Sequence, residues 1–245
     1  MVEMGLGYGS EYQLLRYLGH HRNELNKMIN ENTRLKGELV WLDFPKNIKR
    51  LSLDGEYVGL EFFKDKVLGD IFSQSDIEKL LSGWKKYWST KGTQPNWDGV
   101  ILHKKGNELE LVIVEAKAHL GEIESNTKSA SNEKIQKAFI ETQKNLNISN
   151  NNWFGKHYQL ANRLALVNYL KNNNEKVEIR ASLLYIYFLN GYEKRQLKGN
   201  KIIPIENKSV EKQEDWEKVI IDGYIDLGVN HIANQYISKI FIDCK

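Results

Sequence analysis

The chain has 245 residues, of which 27% are charged and 11% aromatic, and a formal net charge of +3. A compact chain of that length buries roughly 70–75% of its unfolded surface, so a core needs no covalent staples. The lone cysteine, Cys244, excludes an internal disulfide, no apolar run approaches the ~20 residues of a membrane span, and the first residues lack a basic and apolar leader, all of which fits a cytoplasmic protein off the membrane.

Residues 10–29 are predicted to form one helix, with Ser10 as its cap and Gln13 completing a Ser-x-x-Gln capping box. Leu14, Leu15, Leu18, Arg22, Leu25 and Ile29 share one face of it. Residues 37–44 and 50–63 read as strand and turn. Residues 74–89 read as a helix with Ile77, Leu81, Trp84 and Trp88 on one stripe. A hairpin over 97–118 follows, turning at Gly106-Asn107, and then a polar loop over 122–132. Helices are expected at 133–147 and 157–171; the second is apolar on most sides and so buried. The run 180–189 (RASLLYIYFL) is a buried strand. The charged stretch 191–213 reads as loop, with a helix near 214–227 and a strand at 237–242 after it. No repeat or linker divides the chain, which reads as one domain over 1–245: a core at about 10–190 and a C-terminal elaboration at about 191–245.

The chemistry concentrates in residues 95–118, PNWDGVILHKKGNELELVIVEAKA. Strand alternation puts Leu109, Leu111, Ile113, Glu115 and Lys117 on one face and Val112, Val114 and Ala116 on the other. Glu115 and Lys117 therefore project side by side at a strand end, and a hairpin brings Asp98 to the same place. Two carboxylates and an ammonium at a sheet end suit a divalent metal and a phosphodiester. The pattern Asp/Glu-x-Lys is common, and it recurs at Glu206-x-Lys208 and Asp243-x-Lys245. Asp226 stands as far before Asp243 as Asp98 does before Glu115, but it lies in a helical pattern. Pro204 interrupts the strand before Glu206. Only the set at 98–117 has two strands, a turn and a helix downstream; the bland alternative is a surface hairpin with a solvated Glu-Lys pair.

These residues resemble the PD-(D/E)XK nuclease superfamily, the fold of restriction endonucleases. The likeness spans roughly residues 10–190, whose order of helix, strands, helix and strand is similar to that family's core. It implies an α/β (α+β) fold with a central mixed sheet flanked by helices. It also implies that Asp98, Glu115 and the Ala116 carbonyl hold Mg²⁺ or Mn²⁺, and that Lys117 orients the attacking water. The family's proline before the aspartate is absent; Trp97 stands there, with Pro95 further upstream. Many members add a glutamate from the first helix. With Leu18 as reference, Glu11 falls within about 20° of the apolar stripe and Glu24 about 120° away. Glu11 is thus the candidate fourth ligand, with stabilisation of the helix dipole as its alternative role.

Other residues carry less. His20 and His21 point apart on a helix and have no cysteine partners for zinc. GLGYGS at 5–10 lacks the spacing and the preceding strand of a nucleotide loop. GWKKYW at 83–88 mixes bases and aromatics as a nucleic-acid platform does, but Trp84 and Trp88 share the stripe of Ile77 and Leu81 and are expected in the core, with Lys85 and Lys86 as phosphate contacts. Gln136, Gln143 and Gln159 each qualify as the glutamine that follows the lysine in related nucleases. Arg163, on a mostly apolar helix, either clamps phosphate or caps a core carboxylate. His119 and Glu122 follow the lysine directly and read as exposed loop, with lining of the site as the alternative. The resulting expectation is a Mg²⁺-dependent nuclease acting on DNA, with RNA as a second substrate class and 191–213 as the place for a specificity element. The competing expectation is a catalytically inactive nucleic-acid-binding or assembly protein of the same fold. Oligomeric state stays open, a homodimer included.

Overall fold

The computed structural model describes residues 8–42, 57–89, 95–125, 132–149, 151–173, 177–198 and 201–245. Its helices are α1 (Gly9–His20), α2 (Arg22–Asn32), α3 (Lys66–Gly69), α4 (Gln74–Tyr87), α5 (Glu133–Asn145), α6 (Tyr158–Asn172), α7 (Gln213–Asp226) and α8 (Ala233–Tyr236). Its strands are β1 (Glu38–Trp41), β2 (Tyr57–Val58), β3 (Asn96–Trp97), β4 (Gly99–Lys105), β5 (Glu108–Lys117), β6 (Arg180–Leu189), β7 (Glu193–Lys198), β8 (Lys201–Asn207) and β9 (Ile237–Asp243).

A five-stranded sheet runs in the order β1-β4-β5-β6-β9. The β1–β4 and β4–β5 pairs are antiparallel, whereas β5–β6 and β6–β9 are parallel. The sheet is therefore mixed, and its two parallel connections pass through helices: α5 and α6 before β6, α7 and α8 before β9. Side-chain alternation sorts the strands onto two faces. Val112, Val114, Ala116, Leu184, Ile186 and Ile240 pack under α1 and α2, through Leu14, Leu18, Leu25 and Ile29. Val100, Leu102, Leu111, Ile113, Tyr185 and Tyr187 face the other layer, built from α4, α5, α6 and α7 through Trp84, Phe139, Leu164 and Trp216. The fold is thus a mixed α/β sheet flanked by helices on both sides.

The elements at 74–89, 97–118, 133–147, 157–171, 180–189 and 237–242 form where sequence periodicity puts them. Local chemistry supports two of the helix starts: Ser73 accepts from the Asp76 N–H, and Asn132 accepts from the Lys134 and Ile135 N–H groups. Three expectations need correction. Residues 10–29 are two helices, because His21 at φ −129°, ψ 29° breaks the run between α1 and α2. Ser10 and Gln13 form no capping box. The Ser10 hydroxyl donates to Glu122 Oε1, and the Gln13 amide donates to the Gly191 carbonyl, so tertiary contacts have claimed both side chains. The stretch 191–213 is largely an antiparallel ribbon, β7–β8, with a bulge at Lys194/Arg195 where Pro204 stands in the partner strand. The strand expectations at 43–56 lie outside the described residues. Among the described residues no helix is long and apolar enough to cross a membrane.

Candidate active site

The site forms where β4 begins and β5 ends. In the antiparallel register Gly99 opposes Val114 and Val100 opposes Ile113, so the next step places Asp98 opposite Glu115. Asp98 shares the parity of Val100 and Leu102, and Glu115 that of Leu111 and Ile113; all four apolar residues belong to the α4–α7 side. Asp98 and Glu115 therefore stand on the same face. Asp98 is half-buried and accepts the Ala116 N–H through Oδ2 at 2.7 Å, which ties the start of β4 to the end of β5.

Glu115 and Lys117 are 4% and 7% exposed. Lys117 Nζ donates to Glu115 Oε1 at 2.6 Å and to Gln159 Oε1 at 3.0 Å. Sequence offered three glutamines for that place, and geometry chooses Gln159, at the first turn of α6. The bland alternative of a solvated Glu-Lys pair is corrected: α6 covers this strand end and buries both side chains. Arg163, one turn along the same helix and 5% exposed, reaches Glu115 from above. Its Nε and Nη2 both donate to Oε2, at 3.0 and 2.7 Å. Of the two roles open to Arg163, the structure shows the core carboxylate. Nη1 donates to Asn162 Oδ1 at 2.7 Å, Nη2 also donates to the Asn96 carbonyl at 3.1 Å, and the guanidinium lies 5.2 Å from the Trp97 ring centroid.

Burial alone would push the Glu115 carboxyl up, but Arg163 and Lys117 outweigh it and hold the group below the ordinary carboxylate range. Glu115 likewise raises Arg163 against the opposing effect of burial. The parallel register sets Tyr185 beside Glu115 and Tyr187 beside Lys117. Burial first, then the Glu115 charge, lifts the Tyr185 hydroxyl well above its ordinary value, so it stays a neutral phenol. Neither tyrosine stood out in the sequence; only the pairing of β5 with a strand about 70 residues later reveals them.

The remaining candidates sit on other elements. Glu11 begins α1, on the opposite layer of the sheet, and its Oε1 is buried without a hydrogen-bond partner. Among the described residues no group of three or more His, Cys, Asp or Glu side chains could hold a metal ion, so Glu11 does not join Asp98 and Glu115 in a preformed cage. Glu24 is exposed and pairs with His21 at 3.5 Å. Lys85 and Lys86 are exposed on α4. Lys86 lines a 560 Å³ groove with Lys134, Lys137, Tyr169 and Asn172. Asn172 lies about 13 Å along α6 from Arg163, so this groove is remote from the site. Glu122 and His119 are half-buried, not exposed loop: Glu122 Oε2 accepts the Ala118 N–H at 2.6 Å, and Oε1 accepts Ser10. Glu122 thus staples the end of β5 to α1. A second pair escaped the sequence reading: Nδ1 of the buried His157 lies 2.9 Å from Oδ2 of the exposed Asp226 and pins the approach to α6 onto α7.

Compared with family models, curated proteins and solved structures, the chain matches none.

Proposed function

We propose that this protein is a metal-dependent nuclease of the PD-(D/E)XK kind, hydrolysing phosphodiester bonds of nucleic acid, DNA in the first place. One observation carries the reading: Asp98 and Glu115 oppose each other in register on one sheet face, with the Lys117 ammonium 2.6 Å from Glu115. The order α1, β4, β5, α6, β6 supports it, because it parallels the core of that superfamily.

The donor chemistry fits the metal. Mg²⁺ takes hard oxygen ligands and is commonly held by only one or two carboxylates beside waters and substrate phosphate, so Asp98 and Glu115 suffice without a third acid. The Ala116 carbonyl is the further ligand that the resemblance assigns. A bound Mg²⁺ or Mn²⁺ would polarise the phosphodiester and acidify a water. The chain's own part is positional and electrostatic. Gln159 accepts from Lys117 and fixes its ammonium at the strand end. There Lys117 orients the attacking water and stabilises the charge that develops on the phosphoryl oxygens. Tyr185 and Tyr187 wall the site with neutral phenols.

A second reading has its own support. Glu115 is satisfied by Lys117 and Arg163 together, as an ion network that only organises the fold would be. That protein would be an inactive binding or assembly module. The two readings separate on incubation of the purified chain with plasmid, linear and single-stranded DNA and with RNA, in Mg²⁺ or Mn²⁺ and in chelator. Cleavage that chelator stops supports the nuclease; intact substrates in every metal condition support the module.

A further inference from the structure

Both oxygens of Glu115 are engaged, and not by equals. Oε1 serves Lys117, which the proposed chemistry needs at that spot. Oε2 serves two N–H groups of one guanidinium, at 3.0 and 2.7 Å. We propose that Arg163 competes with a divalent cation for Glu115, so that Glu115 ligates metal only after the guanidinium has left Oε2. The inference rests on the metal-dependent reading of the site.

The argument is one of space and charge. A Mg²⁺ ion at its ligand distance, ~2.0–2.1 Å from Oε2, would crowd guanidinium nitrogens that already contact the same atom. Both partners are positive, and the site is buried, so their repulsion is poorly screened. Two occupants of Oε2 are therefore exclusive. Arg163 keeps other partners when Oε2 is released. The Asn96 carbonyl at 3.1 Å and the Trp97 face at 5.2 Å hold the guanidinium independently of Glu115, and both belong to β3, just before Asp98. Arg163 is thus a positioning residue: it keeps the carboxylate oriented and neutralised while no metal is bound. A merely structural arginine would make a different prediction, since its removal would disorder Glu115 and weaken metal binding.

The test is Mn²⁺ affinity, measured by calorimetry or by the electron paramagnetic resonance of free Mn²⁺. Arg163→Gln should bind Mn²⁺ at least about tenfold more tightly than wild type, because a buried like charge has been removed. Arg163→Lys, which keeps the charge, should stay near wild type, and Asp98→Asn in the Arg163→Gln background should abolish the gain. A folded Arg163→Gln protein that binds Mn²⁺ no more tightly than wild type overturns the proposal. If that variant does not fold, the Arg163 Nε–H signal of wild type under Mg²⁺ titration decides. Loss of its protection from solvent exchange supports the proposal; an unchanged signal up to saturating Mg²⁺ overturns it. Failure of the nuclease reading looks different: the Mn²⁺ gain appears, yet no nucleic acid is cut.

Discussion

The Glu115 network makes a stability prediction with opposite signs for two perturbations. Glu115 is 4% exposed, Lys117 7% and Arg163 5%, and all the contacts between them lie at 2.6–3.0 Å. Glu115→Gln removes the carboxylate on which both cations rest and leaves two positive groups desolvated. Breaking a buried ion pair on one side costs about 3–5 kcal/mol, so urea denaturation should show a loss of that size at an unchanged slope. For a chain of this length the same loss lowers the melting temperature by about 6–20 °C. The triple variant Glu115→Leu, Lys117→Met, Arg163→Met removes all the charges together. Its stability should equal that of wild type or exceed it by about 1–4 kcal/mol, because well-packed apolar groups incur no desolvation penalty. A site that weakens the fold relative to an apolar replacement is maintained for something other than stability. A loss below about 1 kcal/mol for Glu115→Gln, as for an exposed pair, would refute the reasoning.

Lys117→Met keeps the apolar stem but removes the ammonium; the protein should fold and lose at least about 10²-fold in cleavage rate, and retention of the wild-type rate would remove Lys117 from the chemistry. The folded Glu115 carboxyl lies below its ordinary range. Its contribution to stability is therefore full above the unfolded value of about 4.3 and is lost as pH falls through the lower folded value. The urea midpoint of wild type should drop on that acid limb more steeply than that of Glu115→Gln, and parallel acid limbs would contradict the coupling. Gly37 has φ +147°, and a Cβ there would stand 2.3 Å from the Lys104 carbonyl oxygen. Gly37→Ala should cost about 1–3 kcal/mol in backbone strain alone, and a change under about 0.5 kcal/mol in urea would contradict that conformation.

How much of this was legible before the fold was known depended on sequence distance. The parity of Glu115 and Lys117, the hairpin turn at Gly106-Asn107 and the buried strand 180–189 follow from periods of two residues and from turn chemistry, which are local. Ser10 and Gln13 misled because their capping pattern is local while their partners, Glu122 and Gly191, are not. Arg163 was recognisable as a polar anomaly on an apolar helix, but the partner that explains it lies 48 residues away. Gln159 could not be separated from Gln136 and Gln143 for the same reason: the three differ only in which turn of which helix crosses the end of β5. The ribbon at 193–207 was masked by its charge, because a two-stranded element that buries little has no apolar alternation to show.

The central claim is that Asp98 works with Glu115 on a divalent cation, and it is tested most directly by the cleavage rate of Asp98→Asn beside wild type on plasmid DNA in Mn²⁺, with a chelator control. Asn is a poorer ligand for a hard cation than Asp. The account predicts chelator-sensitive cleavage by wild type and none by Asp98→Asn, while DNA affinity holds or rises because a negative charge has left a phosphate site. Cleavage by Asp98→Asn at the wild-type rate in the same chelator-sensitive reaction would place the metal elsewhere and contradict the account.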